Sequence, residues 1–406
     1  GVQTCALPIS SLVTKLDYTM NIPTEFDEIR PYAPEELPQV FEELIADPAF
    51  QMVVNYLYPD TPFDLIAAKM RQCKTNLDFQ MAFGYDFVKG IADKYCDSLT
   101  IDCSSLPDKK LSYTYVSNHR DIVLDAAFLS VLLIDNGMNT VEIAIGDNLL
   151  VYPWIKKIVR INKSFIVQRA LTMRQMLESS QRMSRYIHYA ISEKHENVWI
   201  AQREGRAKDS NDRTQDSVLK MLSMGGEGSF IDRLKQLHIV PTSISYEYDP
   251  CDFLKAQEFQ IKRDNPEYKK TPQDDLVNMQ TGIFGYKGRV HFQMTGYLND
   301  FLDTLDTSRP KCELFTQVSN YIDRSIHLNY RFYPGNYVAY DLWKNESRFT
   351  DRYTPEEKQT FEHYINRQLA KIELPNKDEA FLRDRILAMY ANPLINHLNA
   401  VSHEAE

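Results

Sequence analysis

The sequence has no surplus of positive charge: 46 lysines and arginines stand against 56 acids, a formal charge of −10 over 406 residues. A general nucleic-acid binder needs a basic footprint to displace counterions, so that class is excluded as a main function and no nucleic-acid partner is expected. No run of 18 or more apolar residues occurs, which removes the usual signal of a membrane-spanning helix. Cys73, Cys96, Cys103, Cys251 and Cys312 form no CxxC pair and no metal-ligand spacing with histidine. His188 and His195 lie seven apart with no third ligand nearby, so no metal is expected. Scattered single cysteines suit a reducing cytoplasm. No internal repeat and no low-complexity tract is present.

What is present reads as an ordinary folded chain, 43% hydrophobic and 25% charged. The first nine residues, GVQTCALPI, back-translate into a common short-read sequencing adapter and are expected to be foreign to the fold. Residues 10–105 read as a helical region: APEELPQVFEELIADPAF opens with proline and acids, and YDFVKGIADKYCDSL has apolar residues at helical spacing. Over 106–296, the β-rich runs YTYVSN, VEIAIG, SFIVQR, NVWIAQR, HIVPTSISYE and RVHFQM alternate with helix-length segments. That alternation predicts an α/β fold with a mixed, largely parallel sheet flanked by helices. Residues 297–406 return to helical patterns, so helical additions flank the sheet at both ends. The polar stretch KRDNPEYKKTPQDD, from Lys262 to Asp275, reads as an exposed loop.

The stretch SYTYVSNHRDIVLDAAFLSVLL, Ser112 to Leu133, raises the question of chemistry. Its HRD triplet is not a kinase catalytic loop. The metal-holding asparagine expected five residues beyond the aspartate is Ala126, and neither a DFG nor a Gly-rich loop accompanies it. What remains is His119 at the end of an apolar strand beside Asp121 and Asp125. A histidine titrates near neutral pH and takes a proton from a hydroxyl when a carboxylate fixes its other ring nitrogen. The plain alternative is that Asp121 caps a helix and His119 is a strand-end residue. MGGEGSF reads as a helix end and turn, Cys251 as a structural thiol, and the Tyr-rich NYRFYPGNYVAYDLW as packing around a turn.

Four blocks occur in order on strand ends: SNHRDIVLD, SFIVQR, WIAQREGRAKD and IVPTSISYE. Together they resemble the four motifs of the glycerolphosphate/lysophosphatidate acyltransferase family, over roughly residues 106–295. The matching residues are His119, then Phe165, Ile166 and Arg169, then Glu204, Gly205, Arg206 and Lys208, then Pro241. The helical N-terminal region and the GRVHFQM strand look more like the larger glycerol-3-phosphate acyltransferase branch. The family box places four residues between histidine and aspartate, whereas five, Arg120 to Leu124, separate His119 from Asp125. With Asp121 as helix cap, Asp125 falls at the fourth helical position instead of the third, about 100° further round. Either a bulge restores the contact or Asp121 takes over as the orienting acid.

The resemblance implies direct acyl transfer, with His119 as general base on an acceptor hydroxyl and acyl-CoA or acyl carrier protein as donor. The acceptor would be glycerol-3-phosphate or lysophosphatidate, or another lysolipid such as an amino-acid lipid. No cofactor and no covalent acyl-enzyme is implied, and backbone N–H groups near the helix start would steady the oxyanion. Arg169, Glu204, Gly205, Arg206 and Lys208 would form the substrate site, the arginines holding a phosphate two-pronged. Their plain alternative is surface charge and structural ion pairing. A catalytically silent member that binds lipid or membrane is the remaining alternative, favoured if neither acid reaches His119 Nδ1.

From Asn148 to Leu177, six basic residues occur with no acid. Trp154 interleaved with Lys156, Lys157 and Arg160 suggests a peripheral contact with an anionic membrane surface, expected at the cytoplasmic face. The same patch would suit an acidic acyl carrier protein, and an ordinary amphipathic helix packed on the sheet is the plain alternative.

Overall fold

The computed structural model describes residues 22–169 and 172–402. The segment GVQTCALPI lies outside the described residues.

The strands are β1 (Cys96–Asp102), β2 (Thr114–Ser117), β3 (Val141–Gly146), β4 (Ser164–Val167), β5 (Asn197–Ala201), β6 (Ile239–Tyr246) and β7 (Gly288–Met294). They form one seven-stranded sheet in the order β1-β7-β6-β2-β5-β3-β4. β2 pairs in parallel with β5 and β6, and β3 in parallel with β4 and β5. β7 runs antiparallel to β6 and parallel to β1. The sheet is therefore mixed and largely parallel. β2 and β6 are buried at every position, as parallel strands covered on both faces must be.

The β-rich runs read from the sequence correspond to β2 through β7. β1 differs from expectation. YDFVKGIADKYCDSL is helical only to Tyr95, then extends from Cys96 as an edge strand. The edge position explains the miss, because its mixed pattern of exposed Ser98 and Thr100 with partly covered Leu99 and Ile101 needs only one packed face. The stretch Lys262 to Asp275 also departs from the expected loop. The helix Asp252–Asp264 runs into it, and the helix Pro272–Phe284 begins within it behind a Thr271–Asp274 capping box.

One face of the sheet packs on the helix Leu124–Asp135, with Tyr115, Trp199 and Phe292 beneath Phe128 and Leu129. Almost every side of this helix is buried. Each fully buried Leu or Phe contributes about 1.5–3 kcal/mol, so packing holds the helix start rigidly. The other face carries the helices Met173–Ser192 and Lys311–Leu328, through Tyr186, Ile187, Val318 and Ile322. The helix Lys311–Leu328, in the C-terminal region, thus shares a core with Val116 and Ile200 of the sheet. Because β2 to β6 all run the same way, the segments leaving them gather along one edge, where Lys287 just before β7 joins them. In open α/β sheets that carboxyl edge is where ligands bind.

Candidate active site

β2 is central, and the chain leaving it builds the site. Asn118 clamps β2 to β6: its Nδ2 donates to the Ile244 carbonyl (2.9 Å) and its Oδ1 accepts from the Ile244 N–H (2.8 Å). Asp121 Oδ1 accepts from the N–H groups of Val123 (2.9 Å) and Leu124 (2.7 Å), so it caps the helix as the sequence suggests. Asp125 takes the histidine. Its Oδ2 accepts from His119 Nδ1 at 2.8 Å, and also from the N–H groups of Arg120 (2.6 Å) and Asp121 (3.1 Å).

The extra residue in the box is absorbed by the turn at Asp121, Ile122 and Val123. The helix begins only at Leu124, which puts Asp125 at its second position, not the fourth. Asp121 is thus not the orienting acid. The N–H groups at the helix start are taken by the two carboxylates, so those of Arg120, Asp121, Val123 and Leu124 do not serve as oxyanion donors.

With Nδ1 donating to a carboxylate, neutral His119 carries its lone pair on Nε2. The His119 ring stands edge-on to Trp199 (5.4 Å between centroids), whose Nε1 donates to Ser117 Oγ. His119 is 13% exposed and Asp125 is fully buried, so the dyad is rigid behind and open only at the ring edge. Burial, and then the nearby Asp125 charge, raise the Asp121 pKa. Gly282 makes room for it: a Cβ there would lie 2.0 Å from Asp121 Oδ2.

The substrate-site candidates lie along the same edge, in separate pairings. Arg169 reaches back across Gly146, and its Nη1 lies 3.4 Å from Glu204 Oε1. Glu204 is 71% exposed and pairs with Arg169, not Arg206. Gly205 has φ +68°, a left-handed conformation that lets the loop turn sharply. Arg206 Nη2 donates to Asn278 Oδ1 (3.1 Å), while its Nη1 is buried with no partner among the described residues. The Nε atoms of Arg169 and of Arg203, which the sequence did not single out, are likewise buried and unpaired. Lys208 is held by Glu258, which also takes Lys262 (2.9 Å), and burial lowers its pKa.

Further residues support the histidine with no local sequence signal. Buried Arg120 pairs with Asp212 and lies over the Tyr330 ring, and Lys255 donates to the Arg120 carbonyl (3.2 Å). Tyr246, at the end of β6, puts its hydroxyl beside Asp125. Cys251 is buried and donates to the Asn278 carbonyl, and its thiol is pushed up to about 12 by burial, as suits an inert structural cysteine.

The proposed membrane segment needs correction. Arg160 is only 8% exposed. Its guanidinium donates to the carbonyls of Arg30 and Asp27 and lies over Tyr32. Trp154 packs against Phe50 in the N-terminal helical cluster, and Lys157 pairs with Glu43. The helix Pro153–Ile161 thus spends its amphipathic face on the protein. Lys156 remains exposed with no partner for its ammonium among the described residues. Within Asn148 to Leu177, the large apolar side chains that do face solvent are Val151, Tyr152, Met173, Met176 and Leu177. No helix among the described residues is long and apolar enough to cross a membrane.

No family model matches the chain, and no curated protein matches it. Among solved structures, it is similar to the 1-acyl-sn-glycerophosphate (LPA) acyltransferase PlsC from Thermotoga maritima, at 10% identity. That likeness covers 74% of this chain and 100% of the other, with a TM-score of 0.38, too low to carry weight.

Proposed function

We propose that the protein is an O-acyltransferase of lipid synthesis. It moves a fatty acyl group from acyl-CoA or acyl carrier protein to a hydroxyl of glycerol-3-phosphate or lysophosphatidate. The observation that carries the reading is the 2.8 Å contact between His119 Nδ1 and buried Asp125, at the carboxyl end of the central strand. Nε2 of His119 takes the acceptor's hydroxyl proton as its oxygen attacks the thioester carbonyl. The tetrahedral intermediate then expels the thiolate, which recovers the proton from the imidazolium. The contact with Asp125 holds the ring in the required tautomer, and it counts against the silent, binding-only alternative.

Arg206 and Arg169, each with a buried unpaired nitrogen, are the groups we assign to an acceptor phosphate. The ties of Lys208 to Glu258 and of Arg169 to Glu204 leave less free positive charge than the motifs alone suggest. That keeps a less anionic lysolipid, such as an amino-acid lipid, as a second acceptor class. The exposed apolar residues Tyr152, Met173, Met176 and Leu177, together with exposed Lys156, support peripheral contact with a bilayer, which we place at its cytoplasmic face.

The test is thiol release from palmitoyl-CoA and palmitoyl-carrier protein, with glycerol-3-phosphate, lysophosphatidate or an amino-acid lysolipid present, beside His119→Ala. Acceptor-dependent release that disappears in the variant supports the reading and names the acceptor. A folded protein that releases no thiol with any pair overturns it.

A further inference from the structure

Asp125 is only half accounted for by the turn around His119. Its Oδ2 takes three donors, whereas Oδ1 is buried with no hydrogen-bond partner. A buried carboxylate oxygen left unpaired costs about 1–3 kcal/mol or more, so such an oxygen calls for a donor. The Tyr246 hydroxyl lies beside the Asp125 carboxylate, and it too is buried with no hydrogen bond of full geometry among the described residues. Tyr246 ends β6, two residues beyond the Ile244 that Asn118 clamps, and its ring packs in the same core as Leu124. Strand and helix are therefore both fixed, and a hydrogen bond between the two groups would satisfy both.

We infer that Tyr246 is a positioning residue for the dyad, donating its hydroxyl proton to Asp125 Oδ1 and so setting the basicity of His119. This rests on the proposed role of His119 only for its consequence in catalysis, not for the hydrogen bond itself. Burial and the adjacent acids hold the Tyr246 phenol well above its usual range, so it stays a donor at all working pH values.

The ionisable groups facing this trio come from several elements. Asp121 stands in the turn and Cys96 at the start of β1, both beside Tyr246. Arg206, Cys251 and Lys287 face Asp121 from the β5 loop, the β6 loop and the start of β7. None of them takes the Oδ1 position. A donor there draws charge from Asp125 and lowers its pull on the imidazolium, so losing the donor raises the His119 pKa.

The experiment follows the His119 ring by NMR titration in the full chain, without substrate, for wild type and Tyr246→Phe. The Phe variant keeps the ring in its core and removes only the hydroxyl. The expected result is a His119 midpoint raised by roughly half a unit or more. In an active enzyme, the acid limb of the kcat/KM profile rises by the same amount, with KM little changed. Replacing Tyr246 by a fluorinated tyrosine, a stronger donor of nearly the same size, moves the midpoint the other way. This second variant decides the matter should the Phe variant fold poorly. Opposite shifts support the inference, whereas an unchanged midpoint in a folded Phe or fluorotyrosine variant overturns it. Because the titration needs no turnover, a shifted midpoint without thiol release would sink the acyltransferase reading and leave the Tyr246 bond standing.

Discussion

Arg120 and Asp212 form a buried two-pronged ion pair across 92 residues, Nη1 to Oδ1 at 2.8 Å and Nη2 to Oδ2 at 2.5 Å. The pair ties the residue next to His119 to the loop beyond β5 that carries Glu204 to Lys208. Asp125 holds the same residue by its N–H and Lys255 holds it by its carbonyl. The turn around His119 is thus gripped from three directions. The HRD triplet that looks like a kinase signature has a structural reason here: its arginine is an anchor.

Removing one partner leaves the other charge buried and alone. Asp212→Ala is expected to lose about 3–5 kcal/mol of stability in urea unfolding. The double variant Arg120→Met with Asp212→Leu, which removes both charges together, should recover most of that loss. Simple addition of the two single effects would show that the pair does not couple.

The two candidate acids separate cleanly by substitution. Asp125→Asn removes the charge that stabilises the His119 imidazolium and lets an amide NH2 face Nδ1, so the tautomer is no longer fixed and acyl transfer should fall about 10²–10⁴-fold. Asp121→Asn keeps a side-chain oxygen for the cap, so it should cost well under 1 kcal/mol there and leave the rate within about tenfold. Steady-state kinetics of both variants, with folding checked by circular dichroism, decides. Equal losses would mean that the two carboxylates act as one unit.

The strands β2 to β7 were legible because each is a short run rich in apolar and β-branched residues set off by polar turns, and three of the helices between them begin with capping boxes at Thr172, Ser229 and Thr271. β1 was not legible, since an edge strand buries one face and its residues Asp97 and Ser98 follow directly on a helix. His119 was legible from its place at a strand end, but its partner was not. Choosing between Asp121 and Asp125 depends on where the helix starts, and that is set by Asp121 capping Val123 and Leu124 and by its fit against Gly282. Arg160 misled for the opposite reason. A basic residue on an amphipathic helix looks the same whether it meets a bilayer or, as here, the backbone carbonyls of Asp27 and Arg30.

That distinction predicts which residues govern membrane binding. Replacing Met173, Met176 and Leu177 together by serine should reduce co-sedimentation with anionic vesicles at least about tenfold, each side chain supplying roughly 1 kcal/mol or more if inserted. Lys156→Ala should weaken binding modestly, by about 1 kcal/mol, and less so at high salt. Arg160→Ala should lower the melting temperature without a matching loss in vesicle binding. Unchanged sedimentation of the triple serine variant would move the contact elsewhere on the surface.

The helix Asp252–Asp264 begins with a buried acid that reports on the C-terminal helices. Asp252 accepts from Tyr364 (2.7 Å), Tyr390 (2.8 Å) and Gln368, yet burial, and then nearby Asp249, push its pKa up to about 6. An unfolded aspartate titrates near about 3.9, so between the two values the folded state binds more protons than the unfolded one. The stability linked to that proton is complete below about pH 4 and is lost as pH rises through about 6. A displacement of about two units corresponds to about 3 kcal/mol. Asp252→Asn cannot titrate, so its stability relative to wild type should improve by about 2 kcal/mol between pH 4.5 and 7.5, whatever the starting difference. Asp323, also pushed up to about 6 by burial, is present in both proteins and cancels in the comparison. Thermal unfolding of the pair across that range is the measurement, and parallel pH profiles would show that Asp252 ionises inside the fold as easily as outside it.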